Sequence, residues 1–339
     1  MNFYRINMKN RLTIAAFLAA GLCSLACTKE KSDMTAGAES GACLGEPVEL
    51  TIGISRPALT KSTVITDDNE VTVNSLQVFV FRDDALDAYA AADNATEVTL
   101  SCTSGERAIY ALVNAPDMSA ISSKSALLET TSLLSNNSGD NFEMIGSKNV
   151  TLPQEASVTI DVNRIVSKIV VKKITRDFTS AALAAQNFSV DEIFIENVAG
   201  DINYGLTSEP AIWYNKQRYT GEEPDLTYDS VGTEIIDGGN YATEHRFYAY
   251  PNDSEDSADE IWAPRRTRLV LKTTLGDNVY YYPITLPELE PNKSYEIENI
   301  TITRPGSANP DEPVTFEDCT FDINIQPWTV VPVTDGITI

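Results

Sequence analysis

Histidine is almost missing from this sequence: 339 residues hold one, His245. Hydrolytic triads and most catalytic zinc centres draw on histidine, so those chemistries have a single residue to work with. His245 stands between Glu244 and Arg246 at the start of a strand-like segment. With no G-x-S-x-G elbow in the chain, it reads as a surface residue at a strand edge. Cysteine is scarce as well. Of five, Cys23 and Cys27 fall in the N-terminal segment, which leaves Cys43, Cys102 and Cys319. No two of these have metal-ligand spacing. A set of three does not choose a disulfide pair, and buried thiols filling apolar space are the simpler reading. Basic residues are few, 25 against 49 acidic ones, for a net charge of -24. Phosphate backbones and anionic membrane surfaces would be repelled, so nucleic acid is excluded as a partner. The acidic runs 67–70 and 253–260 lack the EF-hand order of ligands and glycine and read as solvated loops. No phosphate loop, dinucleotide fingerprint or zinc motif occurs. No cofactor, metal or catalytic residue is expected, and the chain is not read as an enzyme.

What is present begins with a targeting pattern. Arg5, Lys9 and Arg11 give a positive start, and a mostly apolar run over 12–26 follows. That run is shorter than the ~20 residues a membrane-spanning helix needs. It ends Ser24-Leu25-Ala26-Cys27, with a small residue before a cysteine, which is a lipoprotein signal pattern with Ser24 and Leu25 in swapped order. Residues 1–26 are therefore expected to be a signal peptide, with Met1 or Met8 as the start, and Cys27 a lipidation site. Residues 27–47 would form a polar tether. A plain secretory signal with Cys27 unmodified is the other reading.

The rest reads as strand after strand. Val48, Leu50, Ile52 and Ile54 alternate with polar residues, and 76–81 (LQVFVF) is apolar on both faces, as in a central sandwich strand. Segments 107–113, 158–162, 165–174, 188–198, 247–250, 267–274, 279–286 and 295–302 fit further short strands. One helix is predicted over 122–134 from the spacing of Leu127, Leu128, Leu133 and Leu134. The stretch 201–241, rich in Gly, Asn, Asp and Tyr, reads as surface loops anchored by Trp213 and Tyr214. Many short strands with little helix predict an all-β chain of sandwiches. A break near 164 divides it into an N-terminal β-sandwich domain (48–163) and a C-terminal one (164–339).

The tail, 319–339, carries Phe321, Ile323 and Ile325 on one face, then Trp328, Val330, Val331 and Val333. These residues either end the second domain's own sheet or act as a donor strand completing another copy's open sheet. A strand laid on an exposed edge satisfies its backbone groups and inserts alternate side chains. Removal of the 48–54 strand would open an acceptor groove. Basic residues follow that strand in a polar stretch, where a trypsin-like protease would cut. Arg56 precedes a proline, so Lys61-Ser62 is the better bond.

Several stretches together resemble the fimbrillin family of FimA-type major fimbrial subunits, which build type V pili. They are AIYALVNAP (108–116), FEMIG (142–146), VNRIVSK (162–168), FYAYPN (247–252), NKSYEIENITITRPG (292–306) with NPD (309–311), and the Trp328 tail. The resemblance implies two transthyretin-like β-sandwich domains in tandem and export as an outer-membrane lipoprotein. It also implies proteolytic loss of the N-terminal segment and polymerisation by donor-strand exchange with copies of itself and related pilins. Family cleavage follows an arginine in the loop after the first strand; Lys61 lies in the matching loop here. The implied role is a structural pilin of cell-surface fimbriae serving adhesion, with a host or bacterial surface receptor as a further partner. The alternative is a monomeric surface lipoprotein that binds glycan or host protein through loops, with Trp213, Tyr214 and Tyr219 stacking on sugar.

Overall fold

The computed structural model describes residues 45–56, 68–220, 225–255, 265–312 and 319–328. The expected signal peptide, most of the tether, Cys27 and Cys43 lie outside these residues, as do Lys61, Ser62, Val330, Val331 and Val333.

Alternation of β-branched and polar residues dictates extended backbone, because the pleat sends successive side chains to opposite faces. The first such stretch, β1 (Pro47–Ser55), turns Leu50 and Ile52 inward with no exposed surface. After a 3-10 turn at Asp68–Val71 come β2 (Ser75–Arg82), β3 (Ala85–Asp93), β4 (Glu97–Thr103) and β5 (Gly105–Val113). Then follow β6 (Thr131–Leu133), β7 (Met144–Leu152), β8 (Ser157–Asp161) and β9 (Asn163–Arg164). The sheets β4-β1-β8 and β3-β2-β5-β7-β9 share one core, which includes Leu50, Ile52, Val78, Leu100, Ile109 and Ile160. This is a sandwich. β7 and β8 approach so closely that a Cβ on Gly146 would lie 2.2 Å from the Asp161 carbonyl oxygen.

The remaining strands are β10 (Ser167–Val171), β11 (Ile174–Arg176), β12 (Phe188–Glu196), β13 (Val198–Ala199), β14 (Asp201–Asn203), β15 (Trp213–Tyr214), β16 (Tyr228–Glu234) and β17 (Asn240–Tyr241). They continue as β18 (His245–Ala249), β19 (Arg268–Leu275), β20 (Asn278–Thr285), β21 (Lys293–Ile297), β22 (Ile300–Ile302), β23 (Cys319–Thr320) and β24 (Ile323–Pro327). The sheets β18-β10-β21-β24 and β17-β11-β22-β23 are the same four ribbons, each interrupted by a short kink. Their core is shared with the sheet β16-β12-β19-β20 and includes Ile169, Phe247 and Tyr295 from one side and Ile193, Leu271 and Tyr282 from the other.

β2 explains its own two-faced apolar pattern. Leu76, Val78 and Val80 enter the first core, while Phe79 and Phe81 enter the second. The predicted helix is shorter than its pattern. Only Lys124–Glu129 (α1) is helical, capped by Ser123 Oγ accepting from the Ala126 N–H at 3.2 Å. Thr131, Ser132 and Leu133 instead pair with Asn203, Ile202 and Asp201, so long-range pairing overrides the local leucine spacing. The stretch read as loops holds β14–β17 and buries Tyr204. Among the described residues no helix is long and apolar enough to cross a membrane.

Candidate assembly site

β1 is the middle strand of its sheet. It runs antiparallel to β4, with Val48 opposite Cys102, Leu50 opposite Leu100 and Ile52 opposite Val98. On its other edge it runs parallel to β8, with Ile52 opposite Val158 and Ile54 opposite Ile160. Bonds at its ends reinforce the ladder: Thr51 N–H donates to Ala156 O at 3.0 Å, Ile54 N–H to Thr96 O at 2.9 Å, and Val162 N–H to Ser55 O at 3.0 Å. Burying Leu50 and Ile52 contributes roughly 1.5–3 kcal/mol each, gross. Loss of β1 would leave β4 and β8 as two facing edges. The inward side chains of the two walls of that slot are Val98, Leu100, Cys102, Val158 and Ile160, all buried, over the apolar core that β2 and β5 share with them. Cys102 is a free thiol there, as is Cys319 in the second core. Burial, then the charge of Asp87, pushes the Cys102 thiol above its usual range. Arg56, at the end of β1, is exposed.

At the other end of the chain, Phe321 packs half-buried against the second core. Ile323 and Ile325 belong to β24, which among the described residues is an edge strand paired only with β21, where Ile325 faces Tyr295 in the register and Ile323 faces Ile297. Ile325 is 47% exposed and Trp328 only 3%. Four of the seven predicted donor residues are therefore held within their own chain in this state.

The Trp328 indole N–H donates to Glu70 Oε2 at 2.9 Å. Glu70, on the 3-10 turn, also accepts from Lys168 Nζ at 2.9 Å and from the Tyr248 hydroxyl at 2.7 Å. Burial pushes the Glu70 carboxyl up, but Lys168 and the three hydrogen bonds outweigh it, and its pKa ends below the usual carboxylate range. Arg164 is fully buried with its guanidinium 4.0 Å from the Trp328 ring centroid. Glu70 was read as part of a solvated acidic run. Nothing in that run marks the one carboxylate that turns inward. The usable signal lay in VNRIVSK, where two cations interrupt an apolar strand.

Other polar groups serve packing. Glu143 is fully buried and accepts from the Ser132 hydroxyl at 2.7 Å and from the Tyr204 hydroxyl, tying β6 to the segment after β14. Burial pushes its carboxyl up. Glu196 is also fully buried, and neither carboxylate oxygen has a hydrogen-bond partner. Burial, with Asp311 adding to it, raises its pKa to about 8. His245 lies on an edge strand as expected, yet its side chain is buried rather than at the surface. Its Nδ1 sits 2.5 Å from Asp229 Oδ2 and its Nε2 2.9 Å from the Tyr241 hydroxyl. Among the described residues no group of three His, Cys, Asp or Glu side chains could hold a metal. Tyr219 stacks on Tyr228 at 4.5 Å and tilts against Phe194. Trp213 and Tyr214 pair with β13, and the Trp213 indole donates to Pro210 O at 3.2 Å. These aromatics pin their loop to the sheet.

A slot-forming first strand and a long apolar tail invite comparison with known assembling proteins. Residues 48–172 match the family described as major fimbrial subunit protein (FimA). Over those residues, somewhat more than a third of the chain, the sequence is similar to that family. The match runs from β1 to the end of β10. Solved structures extend the likeness of fold across the rest. A fimbrilin (FimA) from Porphyromonas gingivalis W83 superposes with a TM-score of 0.61 at 16% identity, covering 84% of this chain and 98% of that one. A candidate cell adhesion protein from Bacteroides eggerthii gives 0.66 at 18%, covering 87% and 100%. The tip fimbrial protein Mfa3 from Porphyromonas gingivalis, truncated at its C-terminus, gives 0.52 at 15%, covering 84% and 100%. At such identities the shared property is the fold. No curated protein matches the sequence. The all-β architecture of this chain agrees with the fold of these solved structures.

Proposed function

We propose that this chain is a pilin that polymerises by exchanging strands between copies, and that it performs no catalysis. The observation that carries the reading is the central place of β1 in a three-stranded sheet. A strand on an edge could leave without consequence. A strand in the middle leaves a slot with backbone donors and acceptors on both walls and an apolar floor, which another strand must refill. Cleavage at Lys61-Ser62, or less favourably after Arg56, separates β1 from the 3-10 turn and β2. The donor is the chain beyond Trp328, where Val330, Val331 and Val333 supply apolar side chains, because Phe321, Ile323, Ile325 and Trp328 already have places in their own sheet and core. The two sandwiches, 48–163 and 164–339, are tandem transthyretin-like domains. The first is an acceptor and the second the bearer of the donor tail. Export through residues 1–26, lipidation at Cys27 and anchoring to the outer membrane bring the uncut subunit to the surface where a trypsin-like protease acts. Adhesion to a host or bacterial receptor is the role of the assembled fibre.

Mild trypsin treatment tests the reading. The expected result is a cut between Arg56 and Asp68, at Lys61, followed by SDS-resistant ladders of oligomers. Lys61→Ala, and separately a chain ending at Trp328, should each stay folded and monomeric after the same treatment. Undiminished ladders from both would refute the assignment.

A further inference from the structure

Trp328, the last of the described residues, is bound far more elaborately than packing requires. Among the described residues β24 has one neighbour, β21, and a strand held on one edge unzips bond by bond when its end is pulled. The first thing a pull on the tail meets is Trp328. The Arg164 guanidinium lies 4.0 Å and the Lys168 ammonium 4.8 Å from its ring centroid. Phe142 meets it edge-on at 5.5 Å. Its main chain is fixed as well: the N–H donates to Asn292 O at 2.9 Å, and the carbonyl accepts from Arg164 Nη1 at 3.1 Å. A second Arg164 bond, from Nε to Glu70 O at 2.9 Å, ties the same guanidinium to the 3-10 turn.

A buried indole needs apolar neighbours and one acceptor for its N–H. Here buried Arg164 and Glu70 and half-buried Lys168 surround it, and apolar residues of equal volume would commonly hold the fold as well or better. What charged groups add is direction: a cation over an indole face and a hydrogen bond to an ionised acceptor both fail only when the geometry is broken. The partners come from the 3-10 turn, β9, β10 and the turn before β21, so a pull on one residue is spread over both sandwiches.

From this geometry we propose that Trp328, clamped by Glu70 and Arg164, is the anchor that keeps tension on the tail from peeling β24 off its sheet. The inference rests on the strand-exchange reading for the source of that tension, but not for the clamp itself. Trp328 is a positioning residue: it fixes where the tail begins and transmits force without entering the slot.

Hydrogen exchange on the uncut monomer tests the clamp without any need for polymers. Trp328→Ala should speed exchange of the 323–326 amides at least tenfold while the β10 amides keep their protection. Trp328→Phe, which retains a ring but loses the indole N–H, should fall between. Glu70→Gln gives a second variant should Trp328→Ala fold poorly, and should also loosen β24. Fibres grown from these variants after processing should form in normal yield and break at lower force in single-fibre stretching. Unchanged exchange at β24 in both Trp328→Ala and Glu70→Gln would overturn the clamp. Failure of the wild-type chain to form fibres would overturn the strand-exchange reading alone, because the exchange measurement would still decide the clamp.

Discussion

Truncating Ile52 to alanine asks whether β1 can come away while the rest of the protein stays folded. Ile52 is fully buried in the first core, and Cys102 lies opposite Val48 at the other end of the same strand pairing. Removing the outer carbons of a buried isoleucine costs about 2–5 kcal/mol. Taking about 3 kcal/mol, and a factor of ten for every 1.4 kcal/mol, the population with β1 detached should rise roughly 100-fold. Cys102 is 4% exposed, so a thiol reagent reaches it only in such open forms. Its labelling rate, measured in a Cys43→Ser background, should rise by that same factor. Cys319, fully buried in the second core, reports opening of the other sandwich. Its rate should rise only through open forms that also release Ile52, and it should remain well below that of Cys102. The dependence on urea separates the two further. Detaching one strand exposes little surface and gives a shallow slope, whereas unfolding a sandwich gives a steep one. Equal rates and equal slopes for Cys102 and Cys319 would show that β1 leaves only when the whole chain unfolds, and the slot would lose its physical basis.

The remaining predictions concern buried charge. Glu196 has a folded pKa of about 8 against 4.5 for a free carboxyl. The native state therefore holds a proton that the unfolded chain gives up, and stability is lost as pH rises from about 4.5 through about 8. Glu196→Gln should remove this fall, leaving urea midpoints nearly equal to wild type at pH 4.5 and higher at pH 8.5, by on the order of 4 kcal/mol. Buried Arg107 pairs at 2.8 Å with the half-buried carboxylate of Asp87, to which Thr103 also donates. Arg107→Met should cost about 3–5 kcal/mol in urea unfolding at pH 7 by leaving Asp87 unpaired. Burial raises the Asp87 carboxyl, but Thr103 and Arg107 together hold it below the usual range. The loss caused by Arg107→Met should therefore shrink below about pH 4, where Asp87 takes up its proton.

The fold was legible where a segment's burial depends on its own pattern. β1, β2 and β8 announce themselves by alternation or by a two-faced apolar run, and no partner is needed to recognise them. Pairings set by distant residues were not legible. Thr131–Leu133 carries a helical leucine spacing and becomes a strand because Asp201–Asn203 lies beside it. The site divided the same way. A first strand and an apolar tail stand out in sequence, and so does a basic loop residue between strands. That β1 is central rather than marginal depends on β4 and β8 flanking it, which periodicity cannot state. Glu70 looked like any solvated acid, because its lysine, tyrosine and tryptophan partners lie 98, 178 and 258 residues away.

The sheet that holds β1 and the sheet that ends in β24 are different surfaces of one molecule. A copy that receives at the first and lends from the second to different neighbours meets them through unlike faces, and contacts of that kind build an open row unless two copies exchange strands reciprocally and close into a dimer. Growth of that kind has a polarity. However long the row becomes, one terminal copy still has an empty berth and the other an idle strand, so a specialised first or last member is a geometric necessity wherever length is to be controlled.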